Sequence, residues 1–563
     1  MNRFTKHVIG LVLMLTTGLC AGALKPLSEE VKGAVGVVRD SGTWRVPVIT
    51  WGGDIVTIHA NGDATTTKPG SAFGQKGLSV QLYREDVFAR QVDAYRKGET
   101  AFLRGTVGMI LSASEVLGAD PRTVPVVIHQ LSWSTGGDAL VVGSDVRSVA
   151  DLKGKRIALQ AYGPHMDYLI KVLRDASLGA KEVTLVWTSD LTGTDNSPAA
   201  FLQSGKADAA FVITPDALSL TSGGNVGTGA EQSVKGARIL MSTKTADKVI
   251  GDVYAVRKDF YDANQSRIQA FVAGLIEAQA ETTQIIRAAK GEPYAVLTKS
   301  AAKVLLDSEE AVADVVGLFG DCTLVGAKGN QDFLTSQSFP RRLSAISKES
   351  GEGLMGMGVV GSVPTLAVGD ISFGQIAAGV GVVEVSKPKF DEAQVAKLVS
   401  QRQQQGAQAG TLFSFDVYFK PNQNTFAADF YGDSFDRVID LASTYGGALI
   451  TVEGNADPMG YLKAKKADQP ALVLGQIKQS AKNLSLSRAQ QVRDAIILFA
   501  NTKGVALDPS QFAVVGNGIS APATGICGSD PCAPKTEQEW LSNMRVEFKI
   551  IQVEAESDVF SPL

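Results

Sequence analysis

Between Arg45 and about Phe339, short apolar runs alternate with stretches of helical periodicity, and this alternation constrains the fold more than any other feature. Strands that are separated by helices are typical of α/β domains built on parallel sheets. The sequence therefore predicts an α/β fold with parallel sheets. The predicted strands are Val46–Trp51, Leu78–Tyr83, Thr106–Ile110, Val124–Leu131, Ala139–Val142, Lys155–Gln160 and Ala207–Ile213, and a short helix is predicted at Val149–Lys153.

Residues 1–23 have the pattern of a secretory signal peptide. Arg3 and Lys6 give a positive start, and the apolar run Val8–Leu19 is too short to span a bilayer. Ala21 to Ala23 then fits a small-x-small cleavage site. We expect an exported protein in the periplasm of a Gram-negative bacterium.

The composition is that of ordinary globular domains, with 20% charged and 44% hydrophobic residues. A chain of 563 residues is long enough for about three to four domains. The net charge of -4 does not favour nucleic-acid binding, which requires a basic surface.

Three segments in the first half carry a resemblance to a known family. They are Asp151-Leu-Lys-Gly-Lys-Arg-Ile-Ala158, Ser204-Gly-Lys-Ala-Asp-Ala209 and Asp252-Val-Tyr-Ala-Val256. This half resembles the type II periplasmic substrate-binding proteins of ABC transporters, near the branch that binds nitrate, alkanesulfonates and thiamine precursors. The resemblance implies a two-lobed domain over residues 24–390, with the second lobe at about 143–250. It also implies an ABC permease as partner, which the sequence alone does not establish.

In such a fold a small polar solute lies between the lobes, beyond the carboxyl ends of the strands. Asp54 and Asp216 are expected to suit an amine there, Arg104 and His165 an anion, and the aromatic residues a wall or a cation. Alternatives stay open, because the glycines suit tight turns, the tryptophans suit the core, and His165 suits the start of a helix. The candidate solute-binding residues are Trp51, Gly53, Asp54, Thr106, Ser132, Trp133, Ser134, Tyr162, His165, Thr194 and Asp216.

Near the C-terminus, a predicted strand at Leu449–Glu453 leads into a loop that carries Asp457. A helix with Ser485 or Ser487 as N-cap then follows, and it carries Arg488. A carboxylate and a guanidinium at the same end of one layer suit a ligand that has both an ammonium and a carboxylate group.

Four motifs in this region, in order, carry a second resemblance. They are Gly454-Asn-Ala-Asp457-x-x-Gly460, Leu484-Ser-Leu-Ser-Arg488-Ala-x-x-Val492, Val515-Gly-Asn-Gly518 and Asn543-Met-Arg-Val-Glu547. Residues Phe413–Val553 resemble an α/β OmpA-like peptidoglycan-binding domain. In that family the Asp and the Arg of the first two motifs clamp diaminopimelate in the peptide stem. The resemblance implies peptidoglycan as partner and a site of Asp457, Arg488, Asn455, Gly454 and Arg545.

This sequence departs from the family pattern in three places. Asn455-Ala456 replaces the usual His-Thr, Ala481 replaces an Asn, and an insertion at about Ala464–Ile477 lengthens the connection between the two motifs. A helix and a linker are expected at 391–412, and a tail at 554–563.

The chain has 4 cysteines. Cys527 and Cys532 flank a turn-forming Gly-Ser-Asp-Pro, so a local disulfide is predicted in an oxidising compartment. Cys322 is then expected to be unpaired and buried. No metal site and no cofactor are predicted, because His and Cys do not cluster at ligand spacing.

Taken together, the sequence predicts a two-lobed type II binding protein followed by an OmpA-like domain, acting as a wall-anchored binder of a small polar solute. It predicts no enzyme activity. Two alternatives remain: an envelope protein whose lobes are an interaction platform, or a thiamine-precursor-type enzyme that uses His59, His129 or His165 as acid–base groups.

Overall fold

A computed structural model describes residues 24–38, 42–230, 232–380, 390–391, 394–395, 397–399, 401, 411–418 and 428–551. The predicted signal peptide, most of the predicted linker and the predicted tail lie outside the described residues. None of the helices within these ranges is long and apolar enough to cross a membrane.

Strands and helices alternate along the described chain. The strands are β1 (Trp44–Val48), β2 (Val80–Arg84), β3 (Phe102–Thr106), β4 (Pro125–Ser134), β5 (Asp138–Val142), β6 (Arg156–Gln160), β7 (Thr184–Thr188), β8 (Ala209–Ile213), β9 (Arg238–Ser242), β10 (Gly251–Arg257), β11 (Cys322–Leu324), β12 (Ala367–Val368), β13 (Thr411–Tyr418), β14 (Leu449–Asn455), β15 (Phe512–Gly518), β16 (Ile526–Cys527), β17 (Asp530–Pro531) and β18 (Arg545–Ile551). The α-helices are α1 (Leu27–Glu30), α2 (Asp54–Ala60), α3 (Ala72–Gln75), α4 (Phe88–Lys97), α5 (Val107–Ser112), α6 (Ser114–Gly118), α7 (His165–Asp175), α8 (Pro198–Gln203), α9 (Thr214–Leu220), α10 (Lys258–Ala288), α11 (Gly291–Leu306), α12 (Val312–Gly320), α13 (Ala327–Thr335), α14 (Leu343–Gly356), α15 (Phe373–Val380), α16 (Ala428–Thr444), α17 (Met459–Lys466), α18 (Ala471–Thr502) and α19 (Glu537–Ser542).

Two sheets form two lobes. The first-lobe sheet has the order β11-β4-β10-β3, with β12 also on β4 and with β1 and β2 as a separate parallel pair. The second-lobe sheet has the order β7-β6-β8-β5-β9. The chain crosses between the lobes twice, at residues 135–137 and at the connection Thr243–Ile250.

Both sheets are mixed, so the prediction of parallel sheets is wrong in part. β6 runs parallel to β7 and β8, but β5 is antiparallel to β8 and β9, and β10 is antiparallel to β3 and β4. The physical reason is the two crossings, because β5 and β10 each enter a lobe directly from the other lobe without a helical crossover to reverse them.

The predicted strand at Thr106–Ile110 is also wrong. β3 ends at Thr106, whose hydroxyl accepts a hydrogen bond from the Met109 N–H at 3.2 Å and so caps α5. The apolar run that follows is helical, and all of its residues are buried. A helix that is buried on all sides lacks the periodic spacing of apolar residues by which a sequence distinguishes a helix from a strand.

The C-terminal sheet has the order β13-β18-β14-β15, in which β14 and β15 are parallel and are connected through α17 and α18. Ser485 and Ser487 are not N-caps, because α18 begins at Ala471 and Ser485 lies buried within it. Most of the inserted residues are helical: residues 464–466 end α17, residues 467–470 connect the two helices, and α18 begins at Ala471.

Candidate functional sites

A buried ion network lies at the carboxyl end of β3. The Arg104 guanidinium donates to both carboxylate oxygens of Asp54, at 2.7 Å to Oδ2, and at 2.8 Å to Asp252 Oδ1. Both Arg104 and Asp54 are fully buried. Burial raises the pKa of Asp54 to about 6, although the guanidinium opposes this shift. Asp54 and Arg104 therefore pair with each other, which corrects the expectation that they face a solute amine and a solute anion.

Trp51 and Ser132 continue this network toward the surface. The Trp51 indole N–H donates to Ser132 Oγ at 3.0 Å, and Ser132 donates to Asp252 Oδ2 at 3.2 Å. Trp51 is half-buried, and its ring lies so close to Gly137 that a Cβ there would meet it at 2.6 Å. Gly53 packs against the Ser132 side chain. Trp51 thus lies against the crossing between the lobes.

A second buried cluster surrounds Asp138 at the start of β5. The Ser134 hydroxyl donates to Asp138 Oδ2 at 2.6 Å, and His165 Nε2 lies 2.9 Å from Asp138 Oδ1. Thr243 Oγ1 lies 2.9 Å from Ser134 Oγ. His165 is the first residue of α7 and makes no capping bond, so it holds Asp138 and neither caps the helix nor faces an anion.

Asp167, on α7, makes a contact between the lobes that the sequence did not indicate. Its carboxylate accepts from Thr106 Oγ1 at 2.5 Å and from the Gly108 N–H at 2.9 Å, both in the first lobe, and from Ser350 Oγ on α14 at 3.2 Å. No cation lies within 4.0 Å of it in the described part of the chain. Burial raises the pKa of Asp167 to about 6.

These raised pKa values give a pH prediction. A buried carboxyl whose pKa is raised from 3.8 to about 6 adds stability below 3.8 that is lost as the pH rises through 6. We expect Asp54 and Asp167 together to make the chain about 2 kcal/mol more stable near pH 5 than near pH 7. Urea unfolding at the two pH values measures this, and Asp167→Asn should remove about half of the difference. Equal pH dependence in wild type and variant would contradict the assignment.

The other predicted solute residues fall into two groups. Trp133 and Tyr162 are buried structural residues: Trp133 packs edge-on against Phe333, and the Tyr162 hydroxyl donates to the Lys25 carbonyl. Thr194 is exposed and donates to Asp190. Trp133 and Tyr162 are therefore corrected as solute contacts, whereas Thr194 stays a prediction.

Two half-buried carboxylates lie around the crossing near Trp51. Asp216, in the first turn of α9, has an Oδ2 with no hydrogen-bond partner among the described residues, and burial raises its pKa. Asp321 Oδ1 lies 3.2 Å from where a Cβ on Gly136 would stand, and burial raises the pKa of Asp321 to about 6. No sequence pattern pointed to Asp321, because it follows a helix far along the chain from the crossing it approaches.

In the C-terminal sheet, Gly454 lies against α18. A Cβ on Gly454 would stand 2.0 Å from the Ser485 carbonyl oxygen. Asp457 follows Gly454 by three residues, and Arg488 follows Ser485 by three, so the close approach holds both motifs at the end of β14.

Asp457 and Arg488 are both half-buried and unpaired. Asp457 Oδ1 and Arg488 Nε are buried atoms with no hydrogen-bond partner in the described ranges. Burial lowers the pKa of Arg488. Solvent or a ligand can supply the partners of these two atoms, which are of opposite charge type.

The other residues implied by the resemblance are engaged within the protein. Asn455 is buried, donates to the Glu453 carbonyl and accepts from Asn517 at 3.3 Å. Arg545 lies 3.3 Å from Asp416 and 3.2 Å from Glu547. Arg545 is therefore corrected from a ligand contact to an ion-paired residue of the sheet.

The predicted disulfide between Cys527 and Cys532 is present. Cys322 is free and half-buried, and burial raises the pKa of its thiol. Within the described ranges, no group of three or more His, Cys, Asp or Glu residues is arranged to hold a metal ion.

Comparison with known proteins gives matches for the first half of the chain. Residues 75–284 match the family model described as NMT1/THI5 like. The taurine-binding periplasmic protein of Escherichia coli (strain K12) is 28% identical over 210 residues, which are 36% of this chain and 58% of that protein. The match thus spans little more than half the length of this relative.

Two solved structures are similar to part of this chain. The periplasmic aliphatic sulphonate-binding protein SsuA of Escherichia coli is 16% identical, with a TM-score of 0.40, over 62% of this chain and 97% of that chain. The desulfurization enzyme DSZB is also 16% identical, with a TM-score of 0.37, over 60% of this chain and 99% of that chain. TM-scores this low do not assign an activity. The family match ends before the C-terminal sheet, so the peptidoglycan-binding resemblance stays a prediction.

Proposed function

We propose that this protein is a periplasmic solute-binding protein that attaches non-covalently to peptidoglycan. The N-terminal lobes bind a small polar solute by hinge closure, with no bond made or broken. The C-terminal domain has the OmpA-like role and tethers the lobes to the wall. Tethering raises the local concentration of the binder without changing its intrinsic affinity.

The observation that carries the wall proposal is the unpaired state of Asp457 and Arg488. Diaminopimelate presents an ammonium and a carboxylate on one carbon. Arg488 can grip the carboxylate with two parallel N–H bonds, and Asp457 can accept from the ammonium. Both charges are half-buried, so their pairing with a ligand would be stronger than a pairing between exposed groups.

The residues around the crossing at 135–137 suit a solute that bears an amine. Asp216 and Asp321 are half-buried carboxylates, and the Trp51 ring lies beside the same crossing. The Lys244 charge is near enough to Asp321 to oppose the rise in the pKa of that carboxyl. A carboxylate and an aromatic face both attract an ammonium group. The taurine-binding relative is named for a small molecule that carries an amine and a sulfonate.

One observation favours a second candidate, an interaction platform with no solute. Several buried polar groups near the crossings satisfy one another: Arg104 pairs with Asp54 and Asp252 within the first lobe, and Asp167 bonds to Thr106 across the lobes. An enzyme is less well supported, because burial, followed by the nearby Arg104 charge, lowers the pKa of His129 to about 3, which leaves it a poor base at neutral pH.

Thermal unfolding with and without added solutes tests the binding proposal. Taurine and putrescine should raise Tm by roughly 5 °C at one hundred times Kd, because a ligand that binds only the folded state stabilises it. Ethanesulfonate, which lacks the amine, should have little effect, and Asp216→Asn should weaken the shift with either amine. No shift with any amine would favour the interaction platform.

A further inference from the structure

The connection Thr243–Ile250, one of the two crossings between the lobes, is covered by the C-terminal domain. The turn after α16, residues Thr444–Gly447, lies directly on it. The Lys248 N–H donates to the Thr444 carbonyl at 3.2 Å, and the Gly447 N–H donates to the Thr245 carbonyl at 3.2 Å. These two backbone bonds run in opposite directions across the contact, so the turn holds the connection at two points.

The approach is close enough to require glycine in the turn. A Cβ on Gly447 would stand 1.6 Å from the Lys244 carbonyl oxygen, and the Gly446 N–H donates to Asp247 Oδ1 at 3.0 Å. The backbone of Gly447 is therefore in direct contact with the backbone of Lys244, and no side chain lies between them that could move aside.

A buried ion cluster also holds the C-terminal domain against α7 of the second lobe. Lys171, on α7 of the second lobe, lies 2.6 Å from Asp440 on α16 and 3.0 Å from Asp175. The Tyr445 hydroxyl donates to Asp175 Oδ2 at 2.6 Å. Lys171 is almost fully buried and also lies 3.3 Å from Glu349, so a loss of Asp440 leaves its charge with two carboxylate partners instead of three.

Arg341, just before α14, also contacts the connection Thr243–Ile250. Its Nε donates to the Lys248 carbonyl at 3.0 Å, and its guanidinium lies 3.1 Å from Glu349 on α14. Lys248 is thus held through its N–H by the C-terminal domain and through its carbonyl by Arg341. The peptide units on both sides of Lys248 are therefore held, which restricts rotation about the two backbone bonds between them.

Lobe opening in a two-lobed protein needs rotation about the backbone of the crossings. We propose that the C-terminal domain is a hinge clamp: docked through Thr444–Gly447, it holds the connection Thr243–Ile250 in the closed-lobe conformation, and the lobes open when it undocks. The proposal rests on the lobe motion of the proposed function, but its test needs neither solute nor peptidoglycan.

The test measures two distances by spin-label spectroscopy in the full chain, in a Cys322→Ser background. Ser266→Cys with Ser204→Cys reports the distance between the lobes, and Ser204→Cys with Leu498→Cys reports docking of the C-terminal domain. All three label positions are exposed. Wild type should give one narrow distribution for each pair.

Gly447→Ala should broaden the docking distance and raise the population with a longer distance between the lobes from at most about a tenth of molecules to about half. Asp440→Lys, which places a third cation beside Lys171 and Arg341, should do the same by a different route. Gly432→Ala is the matched control, because a Cβ at that position on α16 meets nothing within 4 Å.

Two results would overturn the hinge clamp. One is a broadened docking distance in either variant while the distance between the lobes stays as in wild type. The other is wild-type docking in both variants, which would mean that these contacts do not hold the domain. A failure to bind solute or peptidoglycan would leave both distances readable, so it is distinguishable from a failure of the clamp.

Discussion

Arg488→Ala is expected to leave the chain in the supernatant under conditions in which wild type sediments with purified peptidoglycan. Truncating one partner of a desolvated charge pair costs about 2–5 kcal/mol of binding free energy, a loss of roughly 30-fold or more in affinity. The fold should be retained, because Arg488 Nε and Asp457 Oδ1 have no hydrogen-bond partner in the described part of the protein. The fraction of Arg488→Lys that sediments should lie between the fractions for wild type and Arg488→Ala, since lysine keeps the charge without the planar fork.

The same helix offers a matched control for this change. Arg493, also on α18, pairs with Asp494 of its own helix at 2.7 Å. Arg493→Ala should sediment like wild type, and free diaminopimelate should compete wild type off the wall. Sedimentation of Arg488→Ala and Asp457→Asn at wild-type levels would refute the site.

Arg104→Met is expected to lower the free energy of unfolding by about 3–5 kcal/mol near neutral pH, as measured by urea unfolding. Methionine fills much of the space of the arginine stem, but Asp54 and Asp252 then remain buried with no guanidinium between them. The loss should be smaller near pH 5, because the two carboxyls can then take up protons.

Arg122→Met tests whether burial of the ion network is the cause of the large loss of unfolding free energy expected for Arg104→Met. Arg122 pairs with Asp120 at 2.7 Å, but its side chain is 45% exposed. An exposed ion pair contributes at most about 1 kcal/mol, so this variant should unfold nearly like wild type. An equal effect of the two substitutions would mean that the buried network contributes no more than a surface pair.

The sequence predicted the elements better than their directions. The strands that became β4, β6, β8 and β14 are present within a few residues of their predicted positions, because each is a short apolar run with a clear start and stop. The antiparallel placement of β5 and β10 was not predictable, since it depends on which lobe each strand joins. The start of α18 was missed because no glycine or proline break separates the inserted residues from the motif helix.

The candidate sites divide in a similar way. The assignment of Asp457 and Arg488 stays a prediction, and it could be made from sequence because a local strand–loop–helix pattern carries both residues. The solute residues fared worse, because a cleft depends on side-chain direction and on partners distant in sequence. Asp54 shows this: it lies at a helix start, but its partner is Arg104, which lies 50 positions away.

The arrangement of β4 also determines the order in which the chain can fold after export. β4 ends at Ser134, yet it pairs with β10, β11 and β12, the last of which ends at Val368. The second-lobe sheet, by contrast, is complete within residues 138–242. Local pairing closes faster than pairing between distant segments. The second lobe is therefore expected to fold first, while the apolar edge of β4 waits for more than half of the chain to emerge and needs protection from aggregation until then.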